Sequence, residues 1–316
     1  MSDTRRSFLQ TAAGVAAGIT GTGTATAADA QVAQPAGQPL ACKPFPPSEI
    51  QVPKMKFGKA EISRLICGVN AFYGFSHYNQ ILSTIMKEYN TQERVIDTLH
   101  QCNRYGINTY NFVMANRSVE DLKKFESQGG KMHLICQGGE DAAPLVKAVK
   151  PLAVYAQGEW VDRAFREGRM DSVKEWCKKV RDMGTMVGVG SHKPEVLELA
   201  EEKGFDTDFY AGCVYNRTRS RDEWEKVLGG EQVEMQNDCY LRSDPPRMYK
   251  VMRAIKKPCF AFKVMAAGRI GNPEPAFRGA YKSIKPIDGV FIGMFPRVKD
   301  EMQENAALVQ RLLSRA

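Results

Sequence analysis

Three ionisable side chains follow apolar stretches closely enough to be candidates for acid–base or nucleophilic chemistry: Glu159, His192 and Lys263. A carboxylate or an imidazole can exchange a proton, and a desolvated lysine amine can act as a nucleophile or hold an anion. Two plainer interpretations stay open, namely that His192 caps a helix start and that Lys263 reaches the surface. The chemistry available to these residues is proton transfer or nucleophilic attack, as in a lyase or an isomerase.

Six carboxamides form a second group of candidates, because each lies in or just after an apolar run. A carboxamide offers two hydrogen-bond donors and an acceptor, but it exchanges no full proton at neutral pH. Such side chains suit a ligand with many hydroxyl groups. The sequence therefore predicts that a small polar molecule, such as a sugar, binds to Asn70, Asn111, Asn116, Gln137, Gln157 and Asn216.

A barrel of parallel strands would bring both groups together. Eight short apolar runs alternate with amphipathic helical stretches, which is the pattern of repeated βα units. In a (β/α)8 TIM barrel the strand ends point into a pocket at one face, where catalytic residues lie. The sequence predicts this fold, opened by a short hairpin near residues 55 to 62, with strands at 65–69, 109–113, 133–137, 153–157, 186–190, 209–215, 259–263 and 289–293.

Helix starts are predicted from capping residues. Asn90, with Glu93 three residues later, forms a capping pattern, and Asp244 precedes a proline at a first helical position. Pro194, directly after Lys193, marks a third start.

Several motifs, in this order and spacing, resemble those of the aldo/keto reductases. Residues 55–59 and 62–68 resemble that family's opening hairpin and first strand, and Gly106-Ile107-Asn108-Thr109-Tyr110 its second strand. Residues 187–192 with 194–197 are similar to its fifth strand and helix. Tyr215-Asn216 ends the sixth strand, residues 261–270 have the form of the seventh strand and its loop, and residues 300–305 resemble the closing helix.

This resemblance implies carbonyl reduction with NADPH by a tetrad of Asp, Tyr, Lys and His. In this chain the four positions fall on Asn111, Asn116, Gln137 and either Gln157 or Gly158, and none of the four residue types occurs in the corresponding segment. The family's nicotinamide contacts become Gly190-Ser191 and Gly212. NADP is still predicted as a possible cofactor, held by Gly268, Arg269, Arg297 and Asn305, although these residues could equally be ordinary barrel loops.

The N-terminus reads as an export signal. Thr4-Arg5-Arg6-Ser7-Phe8-Leu9 is a twin-arginine pattern, and Ala28-Asp29-Ala30 offers a cleavage site. Residues 1–30 are therefore predicted to be a signal peptide, 31–54 a Pro-rich linker and 55–316 the barrel. We expect export by the twin-arginine machinery to the periplasm or cell envelope, without stable membrane insertion because the apolar stretch is short.

Composition argues against two other kinds of partner. The formal net charge of +8 is spread along the chain, without a basic block, so no nucleic acid is expected. The eight cysteines show no zinc-binding spacing, and a Glu159/His192 pair lacks a third ligand, so no metal is expected. Cys67, Cys136, Cys213 and Cys259 lie in apolar runs and are predicted to be buried thiols.

Three function classes stay open. The resemblance favours an exported NADP-linked oxidoreductase acting on a small polar carbonyl or sugar. The residue chemistry favours a cofactor-independent carbohydrate lyase or isomerase. A non-catalytic binding protein is the third possibility, because a fold does not fix a function.

Overall fold

The structure is a computed structural model that describes residue 40, residues 42–230 and residues 239–314. All of them belong to one compact unit, Pro35–Ala316. The predicted signal peptide and residues 31–39 and 41 of the predicted linker lie outside the described residues.

Eight parallel strands form a closed barrel, and an antiparallel hairpin precedes it. The predicted TIM barrel with its N-terminal hairpin is therefore confirmed. The strands are β1 Lys54–Phe57, β2 Ala60–Ser63, β3 Leu65–Gly68, β4 Thr109–Phe112, β5 His133–Gly138, β6 Ala153–Ala156, β7 Met186–Ser191, β8 Phe209–Cys213, β9 Cys259–Phe262 and β10 Gly289–Gly293. The hairpin consists of β1 and β2, and the order around the barrel is β10-β3-β4-β5-β6-β7-β8-β9.

Helices surround the barrel, and their inward faces pack on the strands in the larger of two hydrophobic clusters. Within the described residues the α-helices are α1 Gln80–Tyr89, α2 Gln92–Arg104, α3 Ser118–Ser127, α4 Ala143–Val149, α5 Gly158–Arg166, α6 Met170–Asp182, α7 Pro194–Glu202, α8 Arg221–Leu228, α9 Asp244–Ala254, α10 Pro273–Ser283 and α11 Glu301–Leu313. Short 3-10 turns follow β3 and β9, at Asn70–Tyr73 and Ala266–Gly268. No helix in the described part of the chain is long and apolar enough to cross a membrane.

Aromatic rings fill the N-terminal end of the barrel and close it to solvent. Phe57, from the hairpin, meets the rings of Phe209 and Phe260 edge-on, each with centroids 5.3 Å apart. Phe260 in turn stacks on Phe291 at 5.0 Å. Gly188 makes room for this packing, because a Cβ there would lie 2.6 Å from the Phe209 ring. With the N-terminal end plugged, the face open to a ligand is the C-terminal one.

Two of the predicted helix caps are wrong. The first helical residue of α2 is Gln92, and Thr91 caps it by accepting from the Arg94 amide, while the Asn90 side chain donates to the Ala71 and Met86 carbonyls. In α9 the residue before the helix is Ser243, and Asp244 is already helical. Asp244 instead forms an ion pair with Arg219, and its carboxylate accepts a hydrogen bond from the backbone amide of Asn216. The start of α7 at Pro194, after Lys193, is as predicted.

The described end of the predicted linker, residues 42–53, runs along the C-terminal end of α2. The Ser48 amide donates to the Arg104 carbonyl at 2.9 Å, and the Val52 amide to the Tyr105 carbonyl at 3.0 Å. Lys54 already belongs to the hairpin, one residue before the expected boundary.

Candidate active site

The functional candidates gather at the C-terminal ends of neighbouring barrel strands. Glu159 opens α5 just after β6, His192 follows β7 directly, and Asn216 and Lys263 follow β8 and β9. Because β6, β7, β8 and β9 are adjacent in the barrel, these loops share one side of its mouth. The structure brings Glu159 and His192 together through two residues that were not predicted, Asp162 and Arg217.

A buried carboxylate–imidazole pair lies at the centre of this cluster. Asp162, on α5, is fully buried, and one of its oxygens lies 2.8 Å from His192 Nδ1. The same oxygen accepts from the His192 amide at 3.2 Å and from the Thr218 hydroxyl at 2.8 Å, while the other accepts from the Ser191 hydroxyl. His192 thus uses its side chain to bind Asp162. It does not cap α7, because Lys193 holds the cap position.

The other ring nitrogen of His192 faces a cation. Arg217 Nη1 lies 3.5 Å from His192 Nε2, and the same guanidinium forms an ion pair with Glu159. The Phe262 ring and the imidazole pack in an edge-to-face arrangement, with their centroids 5.7 Å apart. A neutral imidazole that donates from Nδ1 to Asp162 would present an Nε2 lone pair beside a guanidinium.

The charges of the cluster set its protonation. Burial lowers the pKa of His192, and the cations Arg217 and Lys263 lower it further, against the opposing effect of Asp162. Burial alone would raise the pKa of Asp162, but the hydrogen bonds from His192, Ser191 and Thr218 outweigh it and hold that pKa below its usual value. The arrangement therefore favours an ionised Asp162 beside a neutral His192 at pH 7.

Glu159 and Lys263 complete the ionisable set. Burial would raise the pKa of Glu159, yet its ion pair with Arg217 brings the pKa below the usual value. Lys263 is half-buried and has a left-handed backbone, with φ of 61°, as do Ala266 and Ala267 in the same loop. Left-handed non-glycine residues are strained and concentrate at functional sites.

Two of the predicted amides lie inside the barrel and are joined by a tyrosine. Asn111 is buried and donates to the Ile135 carbonyl and the Tyr155 hydroxyl, both at 3.1 Å. The Tyr155 hydroxyl lies 3.4 Å from Gln137 Oε1, and its ring stacks on Phe291. Both hydrogens of the Asn111 amide are therefore used within the protein, whereas the half-buried Gln137 lies closer to the mouth.

The remaining amides have other roles. Gln157 caps α5 by accepting from the Trp160 amide at 3.1 Å. Asn116 is exposed with φ of 50°, and Asn70 begins the 3-10 turn after β3. Asn216 is buried, and no hydrogen-bond donor within the described residues reaches its Oδ1. Asn216 thus carries a buried acceptor at the edge of the His192 cluster.

The predicted nucleotide contacts differ in their exposure and in the protein groups they bind. The Arg269 guanidinium lies over the rings of Tyr78 and Tyr240, at 4.9 and 4.3 Å, and donates to the His77 carbonyl at 2.9 Å. Arg297 and Gly268 are exposed, whereas Asn305 is buried in α11. The hydroxyl of Ser191 is already bound to Asp162. Arg269 is thus engaged and Asn305 buried, whereas Gly268 and Arg297 are open to solvent, and NADP stays a prediction.

The sequence carried weak signals for the missed residues. Glu159 and Asp162 are three residues apart on one helix, which places them on one face. Arg217 begins the run Arg217-Thr218-Arg219-Ser220-Arg221, a concentration of guanidinium groups directly after a strand. No group of three or more His, Cys, Asp or Glu side chains in residues 42–230 and 239–314 is arranged to hold a metal ion.

Comparison with known proteins finds similarity among solved structures only. The sequence matches no protein-family model and no curated protein. Among solved structures, a truncated 3-deoxy-D-arabino-heptulosonate 7-phosphate synthase from Thermotoga maritima is 13% identical, with a TM-score of 0.49 over 84% of this chain and 92% of its own. A glycerol dehydrogenase from Gluconobacter oxydans is 12% identical, with a TM-score of 0.44 over 83% and 95%.

An aldo/keto reductase from Brucella melitensis is 13% identical, with a TM-score of 0.39 over 83% of this chain and 98% of its own. Aldo/keto reductases are thus among the solved structures to which this chain is similar. At such identities the similarity concerns the barrel fold, and the site has to be interpreted from its own residues.

Proposed function

We propose that this protein is a cofactor-independent enzyme that moves a proton on a small polar substrate bearing a carboxylate, such as a sugar acid. The reaction class would be that of a lyase or an isomerase. The observation that carries the proposal is the buried Asp162–His192 pair, whose second ring nitrogen lies beside Arg217.

His192 is the proposed base. Because the ionised Asp162 binds Nδ1–H, the lone pair resides on Nε2, where it can take a proton from the carbon next to the substrate carboxylate. The electron pair of that C–H bond moves into the carboxylate and gives an enediolate. Asp162 then stabilises the imidazolium ion. The proton returns to carbon in an isomerase, or goes to a departing hydroxyl group, which leaves as water, in a lyase.

Arg217 and Lys263 are the proposed electrophiles. An enediolate carries more negative charge than the carboxylate it comes from, so a fixed cation nearby stabilises the transition state more than the ground state. Glu159, half-exposed and paired with Arg217, would give way to the substrate carboxylate. Gln137 would then bind a hydroxyl group deeper in the mouth.

The oxidoreductase alternative lacks a comparable observation. Its proton donor would have to come from outside the family tetrad, and one of the four predicted nucleotide residues, Arg269, already donates to a backbone carbonyl. Absorbance and native mass spectrometry of protein purified from its source cells would test it directly, because a bound NADP adds a defined mass.

Export to the periplasm or cell envelope is likewise proposed, from residues 5–30, and cell fractionation with an Arg5-Arg6→Lys-Lys variant tests it.

Solvent exchange tests the proton-transfer proposal. The protein is incubated in D2O with a panel of sugar acids, and proton NMR follows loss of the signal next to the carboxylate. We expect exchange or conversion of at least one compound, and a loss of about 100-fold or more in His192→Asn, as is usual for removal of a general base. His133→Asn is the matched control, because His133 is a half-buried histidine at the opposite end of the barrel, at the start of β5.

Two outcomes would contradict the proposal. If His192→Asn exchanges as fast as the wild type, His192 is not the base. If sugar acids bind to the folded wild type without exchange or conversion, the protein is a binding protein.

A further inference from the structure

A cleft of about 410 Å³ lies next to the His192 cluster and is lined by Glu159, Arg163, Arg166, Thr218, Arg219 and Ser220. One wall is a single face of α5, where Glu159, Arg163 and Arg166 follow at intervals of four and three residues. Glu159 also pairs with Arg217, and Thr218 also donates to Asp162. The cleft therefore continues directly into the proposed active site.

The charges in the cleft leave one guanidinium uncompensated. Glu159 pairs with Arg217, and the buried Arg219 pairs with the buried Asp244. Arg163 pairs with Glu140. Arg166 donates to the Thr218 carbonyl at 3.3 Å and makes no ion pair within the described residues.

Two further features favour an oxyanion at this place. The partner of Arg163 is replaceable, because the Glu140 side chain is 68% exposed and its pairing with an exposed arginine stabilises little. The Ser220 hydroxyl accepts from the Glu223 amide and so keeps its own hydrogen for a ligand. Two guanidinium groups and a hydroxyl thus line one cleft, and such groups are the donors that recognise phosphate.

We propose that this cleft binds the phosphate group of a phosphorylated sugar acid, whose carboxylate end lies at His192. The substrate assignment rests on the proposed function, whereas the phosphate subsite can be tested without it. Arg166 is the main contact, with Arg163 and Ser220 beside it.

The first test is calorimetric titration of the whole protein with inorganic phosphate at constant ionic strength. We expect saturable binding, weakened at least about tenfold in Arg166→Gln, because a charge-assisted bond is lost. Arg253→Gln is the matched control, since Arg253 is an exposed arginine in the last turn of α9, where helices reach the opposite end of the barrel. Thermal melting verifies that both variants are folded. Equal phosphate affinity in Arg166→Gln and the wild type, or no saturable binding by the wild type, would overturn the proposal.

The second test compares 6-phosphogluconate, gluconate and inorganic phosphate. The first should bind more tightly than either of the others, and Arg166→Gln should remove that advantage while leaving gluconate affinity unchanged. Equal affinities for 6-phosphogluconate and gluconate in the wild type would refute the link between the two sites.

The two proposals fail separately. Phosphate binding that depends on Arg166, without solvent exchange on any sugar acid, keeps the subsite and removes the proposed reaction. Exchange that depends on His192, with phosphate binding indifferent to Arg166→Gln, keeps the reaction and removes the subsite.

Discussion

Asp162 is the residue whose replacement tests the site most directly. It is fully buried, and its two oxygens accept from four donors, namely two hydroxyls, the His192 amide and His192 Nδ1. Asp162→Ala removes all four acceptor positions. Asp162→Asn keeps one oxygen and replaces the other by an amide nitrogen.

The structure predicts different losses of unfolding free energy for the two variants. With alanine, several buried donors around His192 lose their acceptor at about 1–3 kcal/mol each, so we expect a loss of about 3–5 kcal/mol. With asparagine, the oxygen can stay on the side of His192 and Thr218, and the new amide can donate to Ser191, whose hydroxyl turns to the Lys193 carbonyl at 3.1 Å. Only the charge-assisted part of the bonds is then lost, so we expect about 1–3 kcal/mol.

Urea unfolding followed by circular dichroism measures both free energies, and nitrogen NMR of the imidazole reports the tautomer. Asp288→Ala is the control, because Asp288 is equally buried and accepts from two backbone amides at 2.8 Å. It should destabilise the fold without changing the His192 ring. Two results would refute the assigned role of Asp162. One is a loss of unfolding free energy below about 1 kcal/mol in Asp162→Ala, and the other is a His192 ring that carries its proton on Nδ1 as often in that variant as in the wild type.

Three further predictions follow from single contacts. His100 is fully buried against Phe125, and within the described residues neither ring nitrogen has a hydrogen bond of good geometry. Burial lowers the pKa of His100, so stability should fall as pH drops below about 6.5, and His100→Phe should flatten that slope in urea titrations from pH 7 to 5. Gln137→Ala should weaken sugar-acid binding more than folding, whereas Cys136→Ala should do the reverse, because Cys136 belongs to the larger hydrophobic cluster between strands and helices. Paired calorimetry and thermal melting measure both effects, and equal effects of the two variants would contradict this prediction. Thr91→Ala should cost about 1 kcal/mol of unfolding free energy as a lost helix cap, and no change in the urea midpoint would contradict it.

The barrel could be predicted because its strands are buried on both faces. Runs such as Leu65–Gly68 and Ala153–Ala156 are wholly buried, so their sequences are continuously apolar and every predicted strand lies within two residues of the observed one. The caps were harder, because Asn90 and Thr91 are both good capping residues and tertiary contacts decide between them. Asn90 is drawn to the Ala71 carbonyl, and Thr91 remains to cap α2.

The site could be predicted only in part, because its decisive residue lies on a helix. Sequence reasoning placed Glu159 and His192 near strand ends, where a barrel orients side chains into its mouth. Asp162 stands among Glu159, Arg163 and Arg166, and in such a context an aspartate resembles one more solvated residue. Its burial results from the close approach of α5 to the end of β7, which no local pattern encodes.

The seam that closes the barrel has a consequence for how the chain is made. β3, the first barrel strand to leave the ribosome, pairs with β10, the last, through Leu65 and Val290. Until β10 emerges, the nascent sheet keeps two unpaired edges and cannot seal its interior. Completion of the fold therefore has to wait until β10 has been synthesised, and loops that join such distant segments close slowly. A chain that terminates before residue 289 should aggregate, whereas the full chain buries both edges in a single step of closure.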